Sequence, residues 1–74
     1  MTIGERIRGL REDKDMNQTQ VAELLNTSQT VYSRYERNER PLPIEHLIAL
    51  CKFYKVSADY ILELPYGLKY PKRK

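Results

Sequence analysis

The sequence predicts an all-α fold of five short helices. Three observations carry this expectation. Apolar residues recur at helical spacing from Ile3 to Leu62. Cap-forming residues (Thr2, Asn17, Ser28 and Ser57) stand immediately before these periodic segments. Asn26, Asn38, Pro41, Pro43 and Pro65 punctuate them.

Thr2 and Glu5 have the spacing of a capping box, so helix one begins at Ile3. Ile7 and Leu10 give it a buried stripe, and Met16 closes the corner after it. Gly9 costs about 1 kcal/mol relative to Ala inside a helix, which close approach of another helix would justify. Asn17 with Gln20 repeats the capping pattern and opens helix two, whose buried face is Val21, Ala22 and Leu25. Asn26-Thr27-Ser28 leaves room only for a tight turn. Asn tolerates the left-handed backbone that ends a helix better than any residue but Gly. Ser28 then caps helix three, which runs from Gln29 to about Arg37 and turns Val31, Tyr32 and Tyr35 inward. Two helices joined this closely must cross steeply, and the small Ala22 lets them approach.

Asn38 ends helix three, and two prolines within Glu39-Arg40-Pro41-Leu42-Pro43 forbid its continuation. Pro43 is expected in the first turn of helix four, with Glu45 near its positive end. Ile44, Leu47, Ile48, Leu50, Cys51 and Tyr54 give that helix a wide apolar face. Lys55-Val56 turns the chain, Ser57 caps, and Ala58 to Glu63 forms helix five before Pro65. Residues 1–65 are thus read as one domain and residues 66–74 as an irregular basic tail.

Composition narrows the function classes. One Cys among 74 residues excludes a disulfide framework and a Cys-rich zinc site, and fits a reducing cytoplasm. No apolar run approaches the ~20 residues of a membrane span, and no signal-peptide pattern opens the chain. The net charge of +3 is uneven, since Lys69, Lys72, Arg73 and Lys74 supply four of the thirteen basic groups. The remaining residues hold nine basic groups against ten acidic ones. The basic isoelectric point is therefore a poor argument for nucleic acid. Placement is a better one: Arg34, Arg37 and Arg40 cluster at the end of helix three, while Glu12, Asp13, Asp15 and Glu23 precede it.

The polar residues Gln29, Thr30, Ser33 and Arg34 fall on the outward face of helix three. A polar second helix of this kind can enter a DNA major groove, which makes the pair a helix-turn-helix. Gln29 can hydrogen-bond N6 and N7 of adenine together, Thr30 can offer its methyl to thymine, and Ser33 its hydroxyl to a base or phosphate. Arg34 reaches guanine or the backbone. Gln18 opens helix two, where outward N–H groups make a natural phosphate site with Asn17 and Thr19 beside it. Arg37, Asn38 and Arg40 lie at the far end of helix three and are also assigned to phosphates. Tyr32 and Tyr35 could stack on single-stranded bases, but their spacing beside Val31 favours the core. His46 and Cys51, five apart on one helix, make neither a zinc site nor a nucleophilic dyad.

At these residues the chain resembles the XRE family, the helix-turn-helix domains of lambda-type phage repressors and Cro proteins. The resemblance rests on Gln18-x-x-Val21-Ala22-x-x-Leu25, Thr27-Ser28-Gln29, Ser33-Arg34-Tyr35-Glu36-Arg37 and Val56-Ser57-x-Asp59-Tyr60-Ile61-Leu62. The family usually has Gly where this chain has Asn26 and Asn38; Asn preserves the left-handed geometry there. The resemblance implies a five-helix lambda-repressor-like fold with the helix-turn-helix at helices two and three. It also implies a base-reading side chain at Gln29. The family commonly pairs the Glu at position 36 with an Arg on helix one, and Arg11 matches, implying a partly buried ion pair that orients helix three.

The expected function is sequence-specific binding of double-stranded DNA by a small transcriptional regulator, a repressor. One motif reads only a few base pairs, so a homodimer on a palindromic operator is expected. Ile48, Phe53, Leu62, Leu64, Tyr66 and Leu68 exceed what a small core needs, which makes helix five with the following segment the candidate dimer surface; the alternative is that these residues cover the monomer's own core. The alternative is an antitoxin that binds a partner toxin as well as DNA. An enzyme is not expected, nor a cofactor, metal, membrane or small-molecule ligand.

Overall fold

The computed structural model describes residues 1–64. The chain forms α1 (Ile3–Asp13), α2 (Gln18–Leu24), α3 (Gln29–Glu36), α4 (Ile44–Tyr54) and α5 (Ala58–Leu62), with no strand among the described residues. The tail expected over 66–74 lies outside them, as do Tyr66 and Leu68.

Local chemistry sets the start of each helix. Thr2 Oγ1 accepts from Glu5 N while the Glu5 carboxylate accepts from Thr2 N, closing a capping box at α1. Asn17 and Gln20 do the same at α2, at 2.8 Å in both directions. Ser28 and Ser57 cap α3 and α5 through their hydroxyls. At α4 the expectation was off by one residue: Pro43 is extended (φ −63°, ψ 150°) and stands just before the helix, with no side-chain cap. Glu63 likewise falls just beyond α5 instead of within it.

All five helices end alike. Asp15, Asn26, Asn38, Lys55 and Glu63 have φ between 54° and 59°. In each case the next residue's N–H reaches back five positions to a helix carbonyl, as from Thr27 to Ala22 and from Glu39 to Arg34, both at 2.9 Å.

Ile7, Val21, Ala22, Leu25, Tyr32, Tyr35, Leu50, Tyr54 and Ile61 form one buried core. α2 packs on α3, α1 on both α3 and α5, and α4 on α5. The wide apolar face expected of α4 is divided. Leu50 and Tyr54 are buried and Leu47 packs against the core, whereas Ile44 and Ile48 are 67% and 49% exposed, because they share a helical stripe with the exposed Lys52 on the side turned away from the core.

The close helix approach falls at Gly4, not Gly9. A Cβ at Gly9 would meet nothing within 4 Å, whereas one at Gly4 would lie 2.8 Å from the Tyr35 carbonyl oxygen. Asn38 locks this contact: its Oδ1 accepts from Gly4 N at 3.0 Å and its Nδ2 donates to Thr2 Oγ1 at 2.8 Å. α1 is therefore seated on the last turn of α3. At its other side, Arg6 donates through Nε and Nη2 to Glu63 Oε1 and lies 4.5 Å over the Tyr60 ring, tying α1 to the end of α5.

Candidate nucleic-acid interface

The periodicity of α3 divides its side chains sharply. Tyr32 and Tyr35 point into the core, their rings edge to face at 6.3 Å, and Tyr35 also packs on the His46 ring at 5.7 Å. Gln29, Thr30, Arg34 and Arg37 are exposed and Ser33 is half-buried. At a rotation of about 100° per residue these five share one side of the helix. Asn17 and Thr19 are exposed at the start of α2, and Arg40 is exposed in the loop after α3. Arg37 makes one solvated contact, with Glu39 at 3.4 Å.

Asn38 sits at the same end, but both polar atoms of its side chain are held by α1. Its backbone N–H is held by the Tyr35 carbonyl at 3.2 Å, so one side-chain amide hydrogen and the backbone carbonyl remain for an outside partner. Asn17 holds Gln20 N through its own Oδ1.

Beneath the exposed face lies a buried charge. Arg11 Nε donates to Glu36 Oε2 at 2.7 Å, and Arg11 Nη2 to Glu36 Oε1 at 3.1 Å. Arg11 Nη1 is held by the Met16 carbonyl at 2.9 Å. The Glu36 side chain is 3% exposed. Burial alone would favour its neutral form, but the Arg11 guanidinium, together with the Tyr32 hydroxyl and the Gln18 amide, outweighs burial and holds the carboxyl below its ordinary value. The Arg11 pKa is raised, chiefly by the same contact. Burial, and next the Glu36 carboxylate, push the Tyr32 phenol far upward, although its geometry falls short of a hydrogen bond. Tyr54 is pushed to about 12, mainly by burial.

Gln18 connects the buried charge to the surface. Its Nε2 donates to Glu36 Oε1 at 3.0 Å, and its Oε1 accepts from Gln29 Nε2 at 2.6 Å. Sequence reasoning assigned Gln18 to phosphate and did not place it between Glu36 and Gln29. Those residues are eighteen and eleven positions away, and only the crossing of α2 with α3 brings them together. Gly4 and the Asn38 lock were also missed. The signal for Asn38 was its left-handed conformation, which aims the side chain back across the helix end.

Among the described residues no group of three His, Cys, Asp or Glu side chains could hold a metal ion. No described helix is long and apolar enough to cross a membrane.

A polar, outward helix held across a second helix by a short turn, with its one acidic group turned inward, defines the helix-turn-helix class. The chain belongs to the Helix-turn-helix family HTH_3, of XRE type, whose family model matches residues 7–61. It is 36% identical over 62 residues to the HTH-type transcriptional regulator ImmR of Bacillus subtilis (strain 168), covering 84% of this chain and 49% of that protein. It is 34% identical over 61 residues to Repressor protein C2 of Salmonella phage P22, covering 82% of this chain and 28% of the repressor. The chain thus spans half or less of the length of these two relatives. Among solved structures, the P22 c2 repressor protein in complex with synthetic operator 9T superposes with a TM-score of 0.78 at 33% identity, over 85% of this chain and 96% of that one. A transcriptional regulator from Listeria innocua, 24% identical, shares the fold with a TM-score of 0.83 over 95% of this chain and 65% of that one.

Proposed function

We propose that this domain binds double-stranded DNA sequence-specifically, with α3 in the major groove, and acts as a transcriptional regulator of the repressor type. The observation that carries the reading is the segregation on α3. Gln29, Thr30, Ser33, Arg34 and Arg37 share the outward side, while Glu36, which would repel phosphate there, is buried against Arg11. The likeness to a phage repressor solved on an operator supports it. In this reading Gln29, Thr30, Ser33 and Arg34 reach base edges, and Asn17, Gln18, Thr19, Arg37, Asn38 and Arg40 meet phosphates.

Two copies acting on a palindrome complete the reading, because one recognition helix spans few base pairs. Ile48, Phe53 and Leu64, all more than a third exposed, with the half-buried Leu62, are the apolar surface available for pairing. Nothing among the described residues favours a toxin-neutralising role over this one. Selection of bound sites from random duplex DNA is the test. A palindrome with half-sites about 34 Å apart is the expected outcome, and protein that prefers no sequence to any other refutes the reading.

A further inference from the structure

We propose that Glu36, which touches no base, selects the base that Gln29 reads, by fixing the orientation of two successive amides. The inference rests on the reading that Gln29 faces a base. It follows from which atoms can donate.

A carboxylate only accepts hydrogen bonds. The group that Gln18 turns toward Glu36 Oε1, 3.0 Å away, must therefore be its NH2. The carboxylate cannot swing aside, because the Arg11 guanidinium grips both of its oxygens and is itself anchored by the Met16 carbonyl. With its NH2 directed inward, Gln18 can present only its oxygen to Gln29. An amide oxygen also only accepts, so the Gln29 atom 2.6 Å away must be nitrogen. A buried charge thus determines, through two hydrogen bonds, which way the exposed Gln29 amide is turned.

The orientation has a chemical consequence. One N–H of Gln29 is occupied by Gln18, so the amide keeps one oxygen acceptor and one N–H donor for an outside partner. In the major groove adenine offers the N6 donor and the N7 acceptor, which complement that pair. Guanine offers two acceptors, O6 and N7, and would set O6 against the Gln29 oxygen. An amide free to turn over could give its NH2 to either guanine acceptor, and would separate the two purines poorly. Glu36 is accordingly a positioning residue for adenine preference.

The test uses the full chain and the best duplex recovered from random DNA. The Gln29 position is identified first, as the base pair whose preference disappears in Gln29→Ala. Adenine and guanine duplexes at that position are then titrated against Gln18→Met, Glu36→Gln and the double variant. Gln18→Met removes the relay and keeps the length of the side chain. Glu36→Gln keeps the shape but lets position 36 offer either an acceptor or a donor to Gln18. The adenine-to-guanine affinity ratio should fall about tenfold in each single variant, and no further in the double. Preferences at positions that respond to Arg34→Ala should stay within about twofold of the parent, a separation that a merely structural role for Glu36 would not produce.

An unchanged ratio in Gln18→Met overturns the proposal, and does so even where Glu36→Gln fails to fold. A ratio that falls equally at every position also overturns it. If Gln29→Ala alters no preference anywhere, base reading by Gln29 itself is wrong, a failure distinct from intact reading by Gln29 with an unaltered ratio in the relay variants.

Discussion

Gly4 and Gly9 lie in the same helix, yet substitution by Ala should move stability in opposite directions. At Gly4 a methyl group would sit 2.7 Å from the Glu36 carbonyl carbon and 2.8 Å from the Tyr35 carbonyl oxygen. These atoms are backbone, so relief requires α1 to lift from α3, an overpacking that costs roughly 1–3 kcal/mol. The same movement stretches the 3.0 Å bond from Gly4 N to Asn38, worth about 1 kcal/mol. Against this, Ala is a better helix former than Gly by up to about 1 kcal/mol. The net expectation for Gly4→Ala is a loss of about 1–3 kcal/mol. At Gly9 nothing lies within 4 Å of the added carbon, so only the propensity gain remains, about 0.5–1 kcal/mol. A domain of this size shifts in Tm by about 4–8 °C per kcal/mol. Gly9→Ala should then melt a few degrees above the parent and Gly4→Ala roughly 10 °C below it. Urea titration and thermal circular dichroism of both variants measure the two signs. A Gly4→Ala protein as stable as the parent, or equal shifts in the two variants, would refute the claim that α1 rests on the α3 backbone at this point.

Three further outcomes follow from the interface. Arg11→Met leaves the Glu36 carboxylate buried without its cation and should destabilise by about 3 kcal/mol; a double-mutant cycle with Glu36→Gln should show coupling well above 1 kcal/mol, and near-zero coupling means the charges act independently. Because the folded state holds Glu36 below its ordinary 4.5, its contribution to stability is complete above about pH 4.5 and is lost as pH falls through the lower folded value. The stability gap between the parent and Glu36→Gln, followed by denaturant titration from pH 7 to 3, should therefore shrink on acidification, and a constant gap contradicts the assignment. Arg37→Ala and Arg40→Ala should each reduce the slope of log affinity against log salt by about 0.9 while leaving the preferred sequence unchanged; a changed preference would move these arginines from phosphate to base contact.

The parts of the fold visible in the sequence were those set by neighbours in the chain. Thr2–Glu5, Asn17–Gln20, Ser28 and Ser57 announce their helices because a cap is satisfied within three residues. Asn26 and Asn38 announce helix ends because few side chains tolerate that backbone. The outward face of α3 was equally legible, since a polar run beside Tyr32 and Tyr35 can turn only one way. Contacts between distant residues were not legible. Gly4 carries no local mark distinguishing it from Gly9, and only the position of α3 separates their roles. Gln18 reads from sequence as a polar residue at a helix start, and its link to Glu36 depends on a crossing geometry that no short motif records. The Arg11–Glu36 pairing was accessible through family likeness alone, as its residues stand 25 positions apart. Ile44 and Ile48 show the opposite failure: the apolar residues of α4 suggested one wide buried face, but only the side bearing Leu47, Leu50, Cys51 and Tyr54 meets the core.

The uniform way in which the helices finish bears on how this domain could be re-engineered. None of the described glycines takes the left-handed position at a helix's C-terminal end; five larger residues take it instead, and for an unaided L side chain that conformation costs roughly 1–2 kcal/mol. Asn38 and Glu63 are tied to α1, but Asp15 and Lys55 have no such attachment among the described residues, and pruning either to glycine touches none of the exposed polar side chains of α3. Thermal tolerance can therefore be raised at these two corners without altering the outward side of α3.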